Sequence, residues 1–226
     1  MKKILVTGGA GYIGSHVVKS LKANGFEVVV LDNLSMGHRN IVEQTLRVPL
    51  IKGQLGDKKL IQKILDGSHL SSGTKVVDAV MNFAAYTNIS ESVKNPMKFY
   101  INNVGETINL LDSICNEEEK RKGNLKNKIP LIFSSSCATY GEPVILPIKE
   151  DHPQFPINPY GKSKLIIEQI IGDLWQTKNL PSVIFRYFNA AGADLSGSMG
   201  EKHEPETHLI PLALDAALDK NKYLNL

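Results

Sequence analysis

The stretch Ile4–His16 reads ILVTGGAGYIGSH and joins a short apolar run to a glycine-rich turn and the start of a helical pattern. Its glycines Gly8, Gly11 and Gly14 follow a GxxGxxG spacing, and a GxGxxG spacing also fits. Such a turn requires glycine, because the chain turns tightly and backbone N–H groups must approach a pyrophosphate without a Cβ between them. The N-terminus of the following helix adds a partial positive charge. The stretch therefore predicts a binding site for the phosphates of a dinucleotide.

An acidic residue stands where such a site would bind adenosine. The apolar run Glu27–Leu31 ends at Asp32, 18 residues after Gly14. A carboxylate there can accept hydrogen bonds from both ribose hydroxyls and would repel a 2′-phosphate, so the sequence favours NAD over NADP. The alternative is a glycine turn without a ligand and a solvated aspartate. The combination of strand, turn, helix and strand-end aspartate makes that alternative the weaker one.

Short apolar runs alternate with helical patterns along the chain. The runs, rich in Val, Ile and Phe, predict strands buried on both faces: Lys3–Thr7, Glu27–Leu31, Val48–Lys52, Val76–Asn82, Ile129–Ser134 and Ser182–Tyr187. The patterns between them predict helices over Tyr12–Ala23, Lys58–Leu65, a long segment with Ile101, Val104, Ile108, Leu111 and Cys115 on one face, and a later one with Leu165, Ile166, Ile170 and Leu174. This alternation predicts an α/β fold with a doubly wound parallel sheet of the Rossmann type. Asp66–Lys75 and Glu117–Lys128 are predicted to be solvated surface insertions.

Composition excludes several classes of protein. The 226 residues are 42% hydrophobic and carry 26 Lys and Arg against 23 Asp and Glu, a formal charge of +3. That is ordinary for a globular protein, and too little clustered charge for a nucleic-acid partner. No apolar run approaches the roughly 18–20 residues that span a bilayer. The start at Met1 does not resemble a signal peptide, and Cys115 and Cys137 lack a zinc-site spacing. We therefore expect a cytoplasmic protein without a metal or a membrane partner.

A tyrosine and a lysine are spaced for proton transfer. In Asn158–Lys164, NPYGKSK, Tyr160 and Lys164 lie four residues apart and share one helix face. A free tyrosine titrates near 10, and an adjacent ammonium and an oxidised nicotinamide ring would lower that pKa. A lowering of about three units takes roughly 4 kcal/mol and would give a general base at neutral pH. The pair alone is common on helix surfaces. It gains weight from the glycine turn and from the serines of Phe133–Gly141, FSSSCATYG, because strand ends bind ligands in this fold.

Eight stretches together resemble the extended short-chain dehydrogenase/reductase family, and within it the NAD-dependent epimerases and dehydratases of sugar nucleotides. They occur in the family's order along the whole chain: Ile4–His16, Leu31–Ser35, Asn82–Ala85, Glu91–Val104, Phe133–Pro143, Asn158–Lys164, Arg186–Ala193 and His203–Pro211. RYFNAAGA and THLIP, within the last two stretches, point more narrowly to enzymes that epimerise UDP-sugars at C4. The resemblance implies an NAD-dependent isomerase that interconverts UDP-glucose and UDP-galactose through a 4-keto sugar, and a homodimer.

The resemblance also implies roles for individual residues. Tyr160 would take the proton of the sugar 4-hydroxyl while C4 gives hydride to NAD, Ser136 would hydrogen-bond the 4-oxygen, and Lys164 would hold the nicotinamide ribose. Residues implied to contact the UDP group are Asn189, His208 and Leu209. Residues implied to bind NAD are Gly8, Gly11, Tyr12, Ile13, Gly14, Asp32, Asn33, Gln54, Leu55, Phe83, Ala84, Ala85, Asn102, Tyr160, Lys164 and Phe188.

The chain departs from the family's pattern at two places. Gln54 stands where relatives usually have an aspartate that contacts adenine, so we expect weaker adenine recognition and not its loss. The sequence stops at Leu226, where relatives continue into most of the sugar-nucleotide lobe. We accordingly expect an NAD-binding domain over residues 1–187 and an incomplete substrate lobe over residues 188–226.

Two alternatives to a UDP-glucose-converting enzyme remain open on the sequence. One is a catalytically inactive NAD-binding remnant. The other is a different sugar-nucleotide enzyme, such as a UDP-arabinose 4-epimerase, a dehydratase or a decarboxylase. The dehydratases and decarboxylases that it resembles place an acidic residue just after the hydroxyl residue of the serine motif. Here Cys137 and Ala138 follow Ser136, and neither can act as that acid.

Overall fold

The computed structural model describes residues 1–69, 76–121, 128–203, 206–219 and 223. They divide into two compact units, Met1–Phe188 and Asn189–Leu226. The first unit contains a six-stranded sheet in which every pairing is parallel. Its strands are β1 (Lys3–Thr7), β2 (Glu27–Asp32), β3 (Leu50–Lys52), β4 (Ala79–Asn82), β5 (Leu131–Ser136) and β6 (Ser182–Tyr187). The order β3-β2-β1-β4-β5-β6 is that of a Rossmann fold, so the predicted fold class is confirmed.

Helical segments alternate with these strands. The α-helices are α1 (Tyr12–Ala23), α2 (Lys58–Leu65), α3 (Ile89–Lys94), α4 (Pro96–Phe99), α5 (Thr107–Lys120), α6 (Pro159–Lys178) and, in the second unit, α7 (Leu209–Leu218). Two π-helical turns cover Ile41–Leu46 and Tyr100–Glu106, and a 3-10 turn covers Cys137–Thr139. Parallel crossovers are right-handed, so the reversal of strand order after β3 places helices on both faces of the sheet. Among the described residues, none of the helices combines the length and apolarity needed to cross a membrane.

The core fixes the edge of the sheet at which ligands can bind. Leu5 of β1 and Val80 of β4 are fully buried, and they belong to one apolar cluster with Ile61, Ile114 and Ile167 of the helices. Because all strands run in the same direction, their carboxyl ends meet at one edge. The strand order reverses between β1 and β4, and in such sheets the crevice at that reversal is the usual ligand site.

The predicted apolar face of the long helix is confirmed in part. Leu111 and Cys115 are buried and Val104 packs against the core, but Ile101 is 62% exposed and Ile108 is 42% exposed. Ile101 lies in the π-helical turn Tyr100–Glu106, whose wider turn interrupts a count based on 3.6 residues. On α6 the predicted face is also confirmed in part. Ile170 and Leu174 are half-buried and pack against the core, and the fully buried Ile167 and Ile171 were not predicted. Leu165 and Ile166 are half-buried and are not among the residues that pack against that core.

The strands also differ from their sequence-based bounds. β5 extends to Ser136, two residues further than predicted, so the serines complete the strand and do not follow it. β6 is not buried on both faces. It lies at the edge of the described sheet, and Val183 and Phe185 are about half exposed.

The charged stretch Glu117–Lys128 is not simply a solvated loop. Its first residues complete α5, where Glu117 and Glu118 are buried. Burial of these carboxylates is possible because each is paired. Arg121 donates to Glu117 at 3.1 Å, and Lys128 Nζ donates to Glu118 at 2.8 Å. Residues 122–127 of this stretch, and residues 70–75 of the other predicted insertion, lie outside the described residues.

Candidate active site

The glycine turn leaves no room for side chains. Gly8 has a φ of +70°, and a Cβ there would lie 2.5 Å from the backbone nitrogen of Ala84. A Cβ at Gly14 would lie 2.2 Å from the Gly8 carbonyl oxygen. Gly11 precedes α1 without a side-chain cap, and the first turn of α1 contains no acidic residue. The start of α1 is therefore suited to an anion, as the sequence predicts.

An open cleft with about 640 Å³ of empty space lies at the carboxyl edge of the sheet. Ten of the residues expected to bind NAD line it: Gly8, Gly11, Asp32, Asn33, Gln54, Leu55, Phe83, Ala84, Ala85 and Asn102. They come from four loops that follow or adjoin β1, β2, β3 and β4, together with the turn before α5. The topology thus brings together residues that are far apart in the sequence.

Asp32 is held rigidly at the end of β2. It is 8% exposed. One carboxylate oxygen accepts a hydrogen bond from the Ala10 N–H at 3.0 Å, and the other accepts from the Leu34 N–H at 2.8 Å. These two donors connect the aspartate to the glycine turn and to its own loop. A carboxylate that lines the cleft in a fixed orientation suits a ribose diol and disfavours a phosphate in the same place.

Sequence reasoning missed several residues that line the cleft: Leu31, Ser35, Met36, Gly37, Gly53, Tyr86 and Glu106. Glu106 is the charged one among them. Burial raises its pKa, and the backbone N–H groups of Gly56 and Leu55 partly offset that effect. Two signals could have found residues of this set. Tyr86 directly follows Ala85, and Glu106 follows Asn102 by four residues on a helical segment.

The three expected catalytic side chains are buried around the start of α6. Ser136 ends β5, and Tyr160 and Lys164 lie in the first two turns of α6. Asn158 begins the helix by accepting a hydrogen bond from the Gly161 N–H at 2.8 Å. A Cβ at Gly161 would lie 2.4 Å from the Ala138 carbonyl oxygen. Glycine at that position therefore allows α6 to pack closely against the turn that follows Ser136.

The pKa values at this place differ from the sequence-based expectation. Burial raises the pKa of Tyr160, and the hydrogen bond with Ser136 only partly offsets it. Burial lowers the pKa of Lys164 to about 8, against the effect of Glu168. Lys164 Nζ donates to the Ser134 carbonyl at 2.7 Å and lies 5.9 Å from the centre of the Tyr160 ring. The chain's own groups thus do not produce the lowered tyrosine pKa, because both side chains are desolvated.

Asn103 connects the cleft to the catalytic helix. Its side chain accepts from the Tyr86 N–H and donates to the Tyr86 carbonyl, both at 2.9 Å, and it donates to Ser163 Oγ at 3.3 Å. Asn102, which lines the cleft, donates to Asn103 Oδ1 at 2.9 Å. Since Ser163 precedes Lys164, one buried amide fixes the loop after β4, the turn before α5 and the start of α6 relative to one another.

Some expected residues lie apart from the cleft. Tyr12, Ile13 and Gly14 form the first turn of α1 and are not among the lining residues. Tyr160 and Lys164 also do not line it, and Phe188 is exposed, with its ring 6.5 Å from that of Tyr140. The residues expected to contact UDP, Asn189, His208 and Leu209, belong to the second unit, where each is exposed.

The second unit contains a group of side chains that could hold a cation. The ligand atoms of Glu201, His203, Glu206 and His208 lie within 4.8 Å of one another. Their hydrogen bonds already account for the grouping, since Nδ1 of His208 lies 2.7 Å from Glu206. Burial would raise the pKa of Glu206, but hydrogen bonds from the His208 and Thr207 backbones and from the imidazoles lower it to about 2. The group therefore gives no support for a metal site by itself.

Comparisons with known proteins agree with this geometry. The family model described as NAD dependent epimerase/dehydratase family matches residues 4–225. The chain belongs to this family. It is 47% identical to the UDP-glucose 4-epimerase of Rhizobium meliloti (strain 1021) over 219 residues. This match covers 97% of this chain and 61% of that protein. The chain thus spans about three-fifths of the length of this family member.

Two solved structures of family members share the fold. The UDP-glucose 4-epimerase from Brucella ovis in complex with NAD superposes with a TM-score of 0.84 at 44% identity, covering 96% of this chain and 61% of that one. The enzyme from Bifidobacterium longum in complex with NAD⁺ and UDP gives a TM-score of 0.77 at 34% identity, covering 90% of this chain and 58% of that one.

Proposed function

We propose that this chain carries the NAD site and the reacting side chains of a UDP-sugar 4-epimerase, with UDP-glucose and UDP-galactose as its substrates. The observation that carries the proposal is the meeting of two sites at one sheet edge. A glycine-lined cleft with a fixed Asp32 lies on one side, and buried Ser136, Tyr160 and Lys164 lie at the end of β5 and the start of α6. A Cβ at Gly8 or Gly14 would clash with neighbouring backbone, so glycine at both positions allows the tight turn that opens α1, and a helix start of this kind suits a pyrophosphate.

Each side chain has a place in that chemistry. NAD, when bound, supplies the acceptor and donor of hydride at sugar C4. Tyr160, hydrogen-bonded to Ser136, is placed to accept the proton of the 4-hydroxyl and return it. Its raised pKa means that a positive charge must approach before it can act as a base. Lys164, whose pKa is about 8, supplies one such charge below that pH.

The contacts to the sugar nucleotide that are proposed for this chain come from its second unit. Asn189, His208 and Leu209 are proposed to contact the UDP group, and the solved Bifidobacterium longum enzyme holds UDP. The chain spans about three-fifths of its relatives, so full epimerase activity is proposed for the chain together with the remaining part of such a lobe.

A chimaera tests the function directly. Residues 1–226 would replace the matching part of the Rhizobium meliloti enzyme, and conversion of UDP-glucose to UDP-galactose would be followed chromatographically. We expect the chimaera to turn over substrate. Tyr160→Phe should lower that turnover at least about 10²-fold, because it removes the general base. Tyr100→Phe, on the turn before α5, is the matched control and should keep its activity. An inactive chimaera that folds and binds NAD would contradict the proposal.

A homodimer is proposed from the exposed apolar side chains of the segments between β4 and β5. Ile89, Val93, Met97, Ile101 and Ile108 are each more than 40% exposed. Such a patch on a helical surface is typical of a subunit interface. Sedimentation at micromolar concentration should show a dimer, and Ile101→Lys should shift it to a monomer.

The free thiols Cys115 and Cys137 suit a reducing cytoplasm, which is the proposed compartment.

A further inference from the structure

A buried carboxylate that the proposed chemistry does not use lies on the catalytic helix. Glu168 follows Lys164 by one turn of α6 and is 7% exposed. It accepts hydrogen bonds from Ser135 Oγ and, at 3.0 Å, from Gln154 Nε2. Ser135 stands next to Ser136 on β5. The helix that carries Tyr160 is therefore tied to the strand that carries Ser136 through a second, adjacent serine.

Arg186 of β6 neutralises this carboxylate. Its Nη2 donates to Glu168 Oε2 at 2.8 Å, and its Nε lies 3.1–3.2 Å from both carboxylate oxygens. Its Nη1 donates to Tyr140 Oη and to the Glu150 carbonyl, both at 2.9 Å. The guanidinium also lies 5.0 Å from the centre of the Tyr140 ring. One ion pair thus joins α6, the ends of β5 and β6, and the segment between β5 and α6.

Glu168 and Lys164 contact neighbouring residues of β5 from adjacent turns of α6. Glu168 accepts a hydrogen bond from Ser135 Oγ, and Lys164 Nζ donates to the Ser134 carbonyl at 2.7 Å. The described groups around Lys164 are Tyr160 and Glu168 on its own helix, and the Ser134 carbonyl and the Phe133 ring on β5. Cys137 adjoins Tyr160. The Phe133 ring and the backbone carbonyl carry no net charge. A buried carboxylate one helical turn away therefore acts on the lysine through a medium that screens little.

We propose that Glu168 is a positioning residue: its ion pair with Arg186 fixes the spacing of β5 from α6, and its negative charge, one helical turn from Lys164, favours the protonated form of that lysine. The proposal rests on the proposed function only in that Lys164 is taken to serve the reaction. An ion pair that does not act on Lys164 would affect folding alone, and its removal would leave the titration of the lysine unchanged.

Changing the two partners separately distinguishes these roles. Glu168→Gln removes the negative charge, so the Lys164 midpoint should fall by about one pH unit. Arg186→Gln removes the neutralising partner and leaves Glu168 with its Ser135 and Gln154 donors, so the midpoint should rise. Arg186→Lys restores the charge without the bidentate geometry and should bring the midpoint back toward the original value.

The measurement uses the full chain without substrate. Heteronuclear NMR of the lysine Cε–Hε groups, with Lys164→Met to assign the signal, gives the midpoint for each variant, and circular dichroism confirms folding. Opposite shifts in Glu168→Gln and Arg186→Gln support the proposal. Shifts in the same direction in both variants, or an unchanged Lys164 midpoint in Glu168→Gln, would overturn it. If Arg186→Gln does not fold, the Lys164 midpoint in Glu168→Gln decides alone. This experiment does not measure catalysis. Its outcome is therefore independent of the chimaera experiment that tests the proposed function.

Discussion

The two units of the chain differ in how their apolar side chains are covered. In the first unit, Leu110 and Ile114 of α5 are fully buried in the hydrophobic core. In the second, α7 contains no buried residue, and Leu214 and Leu218 are 59% and 86% exposed. The proposed NAD cleft therefore rests on a core formed by its own unit. Of the residues proposed to contact UDP, His208 and Leu209 stand at the start of α7, which has no buried side chain within the described residues.

The largest expected effect contrasts one leucine from each unit. Leu110→Ala should lower the free energy of unfolding by about 2–5 kcal/mol, because it leaves a cavity in a closed core. Leu214→Ala should change it by no more than about 0.5 kcal/mol, since the side chain already meets solvent. Urea unfolding followed by circular dichroism, which reports the helices of both units, gives both values. Equal losses in the two variants would show that α7 is covered after all.

Glycine substitutions sharpen the contrast within the first unit. Gly14→Ala places a methyl group 2.2 Å from the Gly8 carbonyl, and such overpacking should cost about 1–3 kcal/mol and abolish measurable NAD binding. Gly172→Ala on α6 has nothing within 4 Å of the new Cβ and should stabilise the chain by about 0.5–1 kcal/mol. Calorimetric NAD titration and urea unfolding test both. Tight NAD binding by Gly14→Ala would contradict the assigned phosphate site.

Asp32 should govern the choice of cofactor. Loss of a hydrogen bond to a charged group costs about 1.5–3 kcal/mol, so Asp32→Asn should bind NAD about 10-fold to 150-fold more weakly. It should also lose most of its preference over NADP, because the repelling carboxylate is gone. Asp57→Asn is the matched control, since Asp57 caps α2 and lies outside the cleft lining. An unchanged preference in Asp32→Asn would remove the basis for assigning NAD.

Much of the fold could be predicted from the sequence, because local patterns dictated it. β1 and β6 have the predicted bounds, and ten of the residues predicted to bind NAD line one cleft. The rest depends on contacts between distant segments. The π-helical turn that contains Ile101 and the pairing that accompanies the burial of Glu118 leave no periodic signal. Glu168 and Arg186 are 18 residues apart and meet only because β6 lies beside β5.

The smallest expected effect is a loss of local structure in the second unit at low pH. Hydrogen bonds hold the pKa of Glu206 at about 2, below its usual value of 4.5. A lowered carboxyl pKa stabilises the local fold above pH 4.5, and that contribution is lost as the pH falls toward 2. NMR of His203 and His208 should therefore show their native shifts at pH 5 and their loss near pH 2. Glu206→Gln should lack this transition, and its persistence there would assign the effect to another group.

The most direct test compares NAD binding with turnover in the isolated chain of 226 residues. Substrate positioning accounts for about 7–11 kcal/mol of a barrier in favourable cases, and this chain spans about three-fifths of the length of its relative from Rhizobium meliloti. Calorimetry should show one NAD per chain, while conversion of UDP-glucose stays at the background of Tyr160→Phe. Turnover near that of the Rhizobium meliloti enzyme, abolished by Tyr160→Phe, would show that the second unit suffices to hold the substrate and would contradict the account.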